Sequence, residues 1–335
     1  MEFRPETLMS NKTFVAFIRA ALFLLAAMAA FHLPAAWADY YPSRPLRIVV
    51  PFGAGSGTDF VARLIGEELR KDLNTNVVID NRPGASGIIG VDAVVKSPPD
   101  GYTLLLTTVT TVSANPFLFK KLPYDPVKDL QPVANFVETQ MVLLVAPDSP
   151  VQGVRELSQW LRDNPSRAAY GYGSGVSQIA GASFAKRGGA AATGISYKSS
   201  PQALTDLIGG RIPYLFLDMT TATSQVKAGS VRALAVSGEQ RLSELPHVPT
   251  LVESGMSGFT LLAWCGFFAP AGTPLPIVDR LSASLLRIVA KPAVREKLSV
   301  AGVVSPMDAK SFTSYLAEQR MAWGEKIRES GIEPE

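Results

Sequence analysis

Short apolar runs alternate with amphipathic stretches along most of the chain after residue 45. The runs Arg47–Val50 and Leu104–Leu106 show no alternation of polar and apolar positions, which is typical of parallel strands covered on both faces. Between them, apolar positions return at helical spacing. This pattern predicts a βαβαβ unit, with strands at 46–50, 76–79 and 102–107 and helices at 58–73 and 86–95.

A second unit of the same kind is predicted, with helices at 154–163, 177–186, 201–208 and 221–228 and strands at 168–172, 194–197, 214–218 and 231–236. Apolar segments at 140–145 and 259–268 flank it, and each is long enough to cross between two lobes as an extended strand. The chain after residue 274 shows only helical patterns. We therefore predict an α/β protein of two lobes, each a mostly parallel sheet flanked by helices, with two crossing segments.

The predicted domain boundaries follow from these crossings. Lobe 1 takes residues 39–145 together with 267–335, and lobe 2 takes residues 146–266. Two lobes also suit the length, because a chain near 300 residues usually divides its core into two domains.

The first 38 residues carry a different pattern. Three basic residues precede an apolar run at 20–33, and the small-x-small site Ala36–Ala38 follows it. A basic start, an apolar run shorter than a membrane span and small residues at the cut are typical of a secretory signal peptide. We predict cleavage between Ala38 and Asp39 and a periplasmic mature protein; a retained membrane anchor is the alternative.

Composition narrows the function further. The leader removes three basic and two acidic residues from a formal net charge of +3, which leaves +2. So small a charge argues against binding to nucleic acid, which needs a clustered basic face. Cys265 is the single cysteine, and His247 is the single histidine after residue 38. These two residues do not make a zinc site, and no metal or cofactor is expected.

The segment Pro51–Asp59 (PFGAGSGTD) is a glycine-rich turn between the first predicted strand and helix. Glycines allow close approach of a ligand to the backbone, and amides at a helix N-terminus favour an anion. The turn is neither a Walker loop nor a dinucleotide fingerprint, because the required Lys and third Gly are missing. Ser56 and Asp59 also fit a capping box, in which Asp59 serves the helix.

The segment Tyr170–Gln178 (YGYGSGVSQ) places a second glycine turn at the corresponding position of lobe 2. Ligands of open α/β sheets lie beyond the carboxyl ends of the strands, and both turns are predicted there. Each turn alone is also an ordinary tight connection. The pair together predicts an anion-binding cleft. The hydroxyl-rich segment Thr107–Asn115 adds donors at a strand end, although capping is an alternative use of such residues.

Nucleophilic catalysis is weakly supported. Ser174 does not stand in the Gly-x-Ser-x-Gly register of a nucleophile elbow, and His247 lies in a distant proline-rich loop. A Ser-His-Asp arrangement is therefore not expected.

Six segments, taken in order, resemble the Bug or TctC-like receptors of tripartite tricarboxylate transporters: Pro51–Arg63, Asn81–Ala85, Pro99–Leu104, Leu122–Pro126, Ala203–Leu207 and Ala269–Pro274. The resemblance covers nearly all of the mature chain. It implies a two-lobed periplasmic-binding-protein fold of type II, with a small carboxylate held between the lobes largely by main-chain groups and waters. It further implies no enzymatic activity, a monomer, and delivery of the ligand to membrane permease subunits.

The resemblance and the two turns give one set of expected ligand-binding residues: Phe52, Gly55, Ser56, Gly57, Thr58, Asp59, Thr108, Gly173, Ser174, Gly175, Ser177, Gln178, Tyr197 and Asp218.

Three departures from the family pattern leave the ligand open: Ser177-Gln178 in place of Ser-His, Ile212-Pro213 in place of Val-Asp, and Ser199 in place of glycine after Tyr197-Lys198. A di- or tricarboxylate and an aromatic acid both remain candidates. Aromatic residues such as Tyr197 either stack on an aromatic acid or pack in the core. A carboxylate sensor that docks a signalling protein and, less favoured, a periplasmic hydrolase are the alternative functions.

Overall fold

The structure is a computed structural model that describes residues 41–335. The predicted signal peptide and its cleavage position lie outside the described residues. Ten strands are found in the described part: β1 (Leu46–Val50), β2 (Val77–Asn81), β3 (Thr103–Thr108), β4 (Leu130–Val145), β5 (Ala169–Tyr172), β6 (Thr193–Ser196), β7 (Tyr214–Asp218), β8 (Arg232–Val236), β9 (Leu262–Pro270) and β10 (Val303–Asp308).

The same residues form ten α-helices: α1 (Gly57–Asp72), α2 (Ile88–Val95), α3 (Asn115–Leu118), α4 (Val154–Asp163), α5 (Gly175–Arg187), α6 (Ser200–Ile208), α7 (Met219–Lys227), α8 (Leu275–Ala290), α9 (Pro292–Ser299) and α10 (Ala309–Ser330). A π-helical turn, Thr110–Ala114, joins β3 to α3.

The first sheet begins with the predicted parallel unit. β1 lies between β2 and β3 and pairs parallel with both, so that Ile48 stands opposite Ile79 and Leu104. Ile48 and Leu104 are fully buried, as expected for strands covered on two faces. The predicted βαβαβ unit is confirmed, with each of its strands and helices within two residues of the predicted bounds.

Helix α1 begins where the sequence offers a cap. The Ser56 side chain accepts a hydrogen bond from the Asp59 amide, and the basic residues Arg70 and Lys71 stand in the last turn. The helix buries one apolar stripe that includes Ile65 and Leu69. The cap and the stripe together direct the start of α1 toward the carboxyl ends of the strands.

Strand β4 belongs to two sheets. Its first part, 130–140, pairs antiparallel with β9, and its last part pairs antiparallel with β7 and β8. The strand order is therefore β2-β1-β3-β9-β4-β7-β5-β6, with β10 and β8 as further partners of β4. One continuous strand thus leads from the first sheet into the second.

The second sheet repeats the parallel arrangement. β5 pairs parallel with β6 and with β7. An aromatic cluster covers one face of this sheet, where Phe184 of α5 lies 5.3 Å from the ring of Tyr214 and 6.0 Å from that of Phe216. These ring contacts hold α5 against that face of the second sheet.

The expectation that the chain after residue 274 contains only helices was wrong. β10 pairs antiparallel with β4, with Val303 opposite Glu138. The segment is mostly exposed and contains Pro306, so it carries neither the alternation nor the apolar run by which a strand is recognised. Among the described helices, none has the length and apolar character to span a membrane.

Candidate functional site

A cavity with about 650 Å³ of empty space, part of it open to solvent, lies at the carboxyl ends of the parallel strands of both sheets. We call it the central cavity. Its lining comprises Phe52, Ser56, Gly57, Thr58, Val61, Thr108, Thr110, Val137, Thr139, Met141, Ser174, Val176, Ser200, Asp218, Thr220, Ala263, Cys265 and Ala301.

The turns that follow these parallel strands form part of the cavity wall. Residues after β1, β3, β5 and β7 contribute, while the middle of β4 and the start of β9 form the floor. This is the edge at which ligands of open α/β sheets are expected. Seven of the expected site residues line the cavity: Phe52, Ser56, Gly57, Thr58, Thr108, Ser174 and Asp218.

The first glycine turn approaches the cavity with its amides largely engaged. The Gly55 amide donates to Asp59, the Ser56 amide to the Gly53 carbonyl, and the Asp59 amide to the Ser56 hydroxyl. The Gly57 amide faces the carboxylate of Asp218 and donates a hydrogen bond to it. Glycine is required at Gly57 by this close approach, because a Cβ there would overlap the Asp218 carboxylate.

Asp59 braces the first turn from behind. Its carboxylate accepts hydrogen bonds from the Gly55 amide at 3.0 Å, the Arg63 Nε at 3.0 Å and the Asn81 side-chain amide at 3.0 Å. Burial raises the pKa of Asp59, but the hydrogen bonds from Arg63, Gly55 and Asn81 outweigh it, so the pKa lies below its ordinary value. These contacts are structural ones, and Asp59 does not line the central cavity.

The second glycine turn is packed tightly at its glycines. A Cβ at Gly173 would overlap the backbone between Ser199 and Ser200, and one at Gly175 would press on Leu118 and Thr110. The Ser174 side chain caps α5 by accepting from the Ser177 amide. These glycines shape the turn, whereas Ser174 reaches the cavity.

Thr110 joins the first sheet to the second turn. Its hydroxyl oxygen accepts a hydrogen bond from the Val176 amide at 3.3 Å, so one amide at the start of α5 is satisfied by a side chain that follows β3. Thr110 is fully buried and lines the central cavity. It lies within the hydroxyl-rich segment noted in the sequence, where only Thr108 was selected.

Asp218 ends β7 and caps α7. Its carboxylate accepts from the Thr221 amide at 3.0 Å and from the Thr221 hydroxyl at 3.1 Å. Burial raises the pKa of the Asp218 carboxyl, and the hydrogen bonds from Thr221 and Gly57 offset this only in part. A carboxylate from the second sheet thus lies at the N-termini of two helices, α1 and α7.

The lining is rich in hydroxyl groups and poor in charge. Eight of its side chains carry a hydroxyl: Ser56, Thr58, Thr108, Thr110, Thr139, Ser174, Ser200 and Thr220. Among the described lining residues, Asp218 is the only charged side chain, and no lysine or arginine is present. The cavity therefore offers many neutral donors and a single fixed negative charge.

Three further expected site residues have other partners. The Ser177 hydroxyl donates to the Phe216 carbonyl at 2.6 Å, and the Tyr197 hydroxyl donates to Asp206 at 2.8 Å. Gln178 lines a different pocket beside Tyr170 and the C-terminal residues. None of the three lines the central cavity.

Several lining residues were not selected from the sequence. Thr139 and Met141 lie in the segment of β4 that leads from one sheet to the other, and Thr220 follows Asp218 in the first turn of α7. Cys265 stands opposite Thr108 in the register of β9 against β3. Whether residues of β4 and β9 line the cavity depends on which strands pair in the centre of the sheet. Sequence motifs do not give this strand order.

Cys265 is buried and without a disulfide, as expected for a small buried hydrophobe, and burial raises the pKa of its thiol. His247 is exposed and absent from the cavity lining. In the described residues, no cluster of three or more His, Cys, Asp or Glu side chains is suited to a metal ion.

Comparison with known proteins places these features in a family context. The model of the tripartite tricarboxylate transporter family receptor matches residues 61–332. A UPF0065 protein of Bordetella bronchiseptica is 36% identical over 314 residues, which cover 93% of each chain. Protein BugT of Bordetella pertussis is 32% identical over 298 residues, covering 88% of this chain and 91% of BugT.

Solved structures show the same fold. The periplasmic binding protein BugD superposes with a TM-score of 0.83 at 32% identity, covering 88% of this chain and 100% of BugD. Rpa4515 of R. palustris, solved with adipate, has a TM-score of 0.84 at 30% identity over 88% of this chain and 100% of its own. MatC of Rhodopseudomonas palustris, solved with malate, has a TM-score of 0.80 at 31% identity over 86% and 100%. The predicted two-lobed periplasmic-binding-protein fold is confirmed.

Proposed function

The chain belongs to the tripartite tricarboxylate transporter receptor family, and from this premise we propose that it is a periplasmic receptor. It captures a small carboxylate in the central cavity and delivers it to the membrane subunits of a tripartite transporter. Members of the family are solute-binding receptors, and two structural neighbours hold the small acids malate and adipate.

The composition of the cavity wall carries this proposal. Eight hydroxyl groups and the N-termini of α1, α5 and α7 converge on the central cavity. Hydroxyl and amide donors at helix N-termini bind carboxylates without a basic side chain. The lining offers no histidine among its described members, and the Cys265 thiol has a raised pKa. These residues support binding and give little support to the hydrolase alternative.

Within the expected site, we propose a division of roles. The residues that line the cavity contact the ligand: Phe52, Ser56, Gly57, Thr58, Thr108, Ser174 and Asp218. The other expected residues of the two turns position the ligand-contacting ones. Gly55, for example, adopts a φ of +83°, and its amide donates to the Asp59 carboxylate. Phe52 is buried at the cavity wall and offers an apolar surface to the carbon chain of the ligand.

We further propose that the two sheets belong to two lobes with the predicted limits, 39–145 with 267–335 and 146–266. β4 passes from one sheet to the other near Gln140 and Met141, so this strand serves as a hinge. Ligand binding shifts the population from the open form to the closed form of the receptor, and the permease recognises the surface of the closed form. Export through cleavage after Ala38 puts the mature, monomeric receptor in the periplasm.

A thermal-shift panel tests the proposal, because a ligand that binds the native state raises Tm. The panel contains succinate, malate, adipate, citrate, benzoate and nicotinate. Each acid is matched with its uncharged amide, such as succinamide or nicotinamide. We expect at least one acid to raise Tm while its amide does not.

Three results would count against this function. Equal shifts with an acid and its amide would show that the cavity does not select a carboxylate. If no acid of the panel raised Tm, the proposal that the protein binds a small carboxylate would lose its support. Turnover of an ester of the best acid would favour the hydrolase alternative instead.

A further inference from the structure

We propose that binding of a carboxylate in the central cavity is coupled to the uptake of one proton, which Asp218 and the ligand then share. The inference rests on the proposed function, because it concerns the charge balance of the same cavity. It is carried by an arrangement that the sequence motifs do not reveal: the described residues of the cavity wall include a fixed carboxylate and no cation.

Asp218 is held beside the cavity by its role in the fold. Its oxygens accept from the amide and the hydroxyl of Thr221, which fixes the carboxyl group at the start of α7. The Gly57 amide of α1 donates to the same carboxyl group from the other side. The carboxylate therefore cannot turn away into solvent without uncapping one helix and leaving an amide of the other unsatisfied.

Among the described residues, the cations on the two helices that meet at Asp218 lie outside the cavity lining. On α1, Arg63 is engaged by Asp59 at 3.0 Å and does not line the cavity. On α7, Lys227 is exposed at the opposite end of the helix from Asp218. The described lining residues include no lysine, arginine or histidine.

The other titratable groups on the surrounding elements also have partners of their own or stay neutral. Glu138 of β4 accepts from the Tyr315 hydroxyl. Asp206 of α6 pairs with Arg211. Cys265 of β9 lines the cavity, but burial raises the pKa of its thiol, so it remains neutral near pH 7. Asp218 is therefore the group that meets the ligand charge.

Two carboxylates held a few ångströms apart at the wall of the central cavity do not both stay ionised. Like charges a few ångströms apart disfavour each other, and such pairs retain one proton between them. Burial already moves the Asp218 carboxyl toward its protonated form before a ligand enters. A ligand carboxylate adds to this effect, and the lowest-energy arrangement is an O–H···O hydrogen bond whose proton comes from solvent.

Titration calorimetry in buffers of different ionisation enthalpy measures the proton uptake directly. The probe is the acid of the panel that raises Tm most. At pH values above the pKa of Asp218 in the ligand-free protein, we expect net uptake that approaches one proton per ligand, and affinity that falls by up to about tenfold per pH unit as the pH rises. With Asp218→Asn, this uptake should vanish, and the affinity should change with pH only as far as the ligand's own carboxyl groups change their ionisation.

Asp308→Asn is the matched control. Asp308 also caps a helix, accepting from the Ser311 amide at 2.8 Å, but it is exposed and lies outside the cavity lining. This variant should show the proton uptake of the wild type. Uptake of zero in the wild type, or undiminished uptake in Asp218→Asn, would overturn the coupling while leaving the receptor function intact. Absence of binding by every acid would defeat both.

A second measurement needs no variant, so it remains decisive if Asp218→Asn does not fold. Infrared difference spectra of the wild type with and without ¹³C-carboxyl-labelled ligand report protonated carboxyl groups by their C=O band. We expect a new protonated-carboxyl band on binding. A spectrum that contains only ionised carboxylate bands would contradict a shared proton.

Discussion

Two aspartates stand in or at the first turn of two helices whose N-termini meet, and their surroundings give them opposite properties. Asp59 of α1 is braced by Arg63, Asn81 and the Gly55 amide, which lower its pKa against the effect of burial. Asp218 before α7 forms no ion pair with any described residue, and burial raises its pKa. The difference follows from the partners rather than from the residue type or its place at the helix N-terminus.

This contrast separates structure from function at the cavity. A carboxylate with a cation and several donors stabilises a turn. A carboxylate that accepts hydrogen bonds from neutral donors alone, such as Asp218, can change its protonation when another charge enters the cavity. Apart from the controls, each variant below changes one of the two aspartates, or its surroundings, and leaves the other aspartate in place.

The largest effect is expected from Gly57→Val. The new side chain would overlap the Asp218 carboxylate and fill part of the cavity, while the Asp59 contacts remain. We expect an affinity loss of about a hundredfold, since overpacking costs about 1–3 kcal/mol and about 1.4 kcal/mol corresponds to tenfold. Gly153→Val is the control, because nothing lies within 4 Å of a Cβ at Gly153. Calorimetry that gives equal affinities for both variants would contradict the close approach.

The second effect is on folding. Asp59→Ala removes the acceptor of three hydrogen bonds and should lower the free energy of unfolding by about 2 kcal/mol. Asp308→Ala, which removes an exposed helix cap, should cost only about 1 kcal/mol. Urea unfolding measures both changes. A loss for Asp59→Ala no greater than that for Asp308→Ala would show that the brace is weak.

The smallest effect is the dependence of stability on pH. The folded pKa of Asp218 is raised, so the wild type should gain stability relative to Asp218→Asn as pH falls through that pKa, and lose it as pH rises. The folded pKa of Asp59 is lowered, so its contribution is present above the ordinary value of 3.8 and lost below it. Urea midpoints of wild type, Asp59→Asn and Asp218→Asn between pH 7 and pH 3 would show these opposite slopes. If the urea midpoints of the two variants changed with pH in parallel, the opposite pKa shifts of Asp59 and Asp218 would be contradicted.

The sequence predicted the alternating units well because their apolar runs and caps are local. The bounds of α4 and β7 agree with the prediction to the residue. β10 was missed, since an exposed edge strand with a proline needs no apolar pattern. The glycine turns were found from composition, but which of their amides are engaged by Asp59, Thr110 or Asp218 depends on contacts between distant segments.

What the sequence determined by itself is therefore the kind of protein: its elements, its family pattern and the turns that end its strands. These follow from hydrophobic period, capping residues and glycine, which act over a few residues. Only the tertiary structure decided that Asp59 is braced and that Asp218 lines a cavity whose described wall includes no cation. Such pairings join β7 to α1 and β3 to α5, and the pKa of each carboxyl depends on the groups that folding brings within a few ångströms.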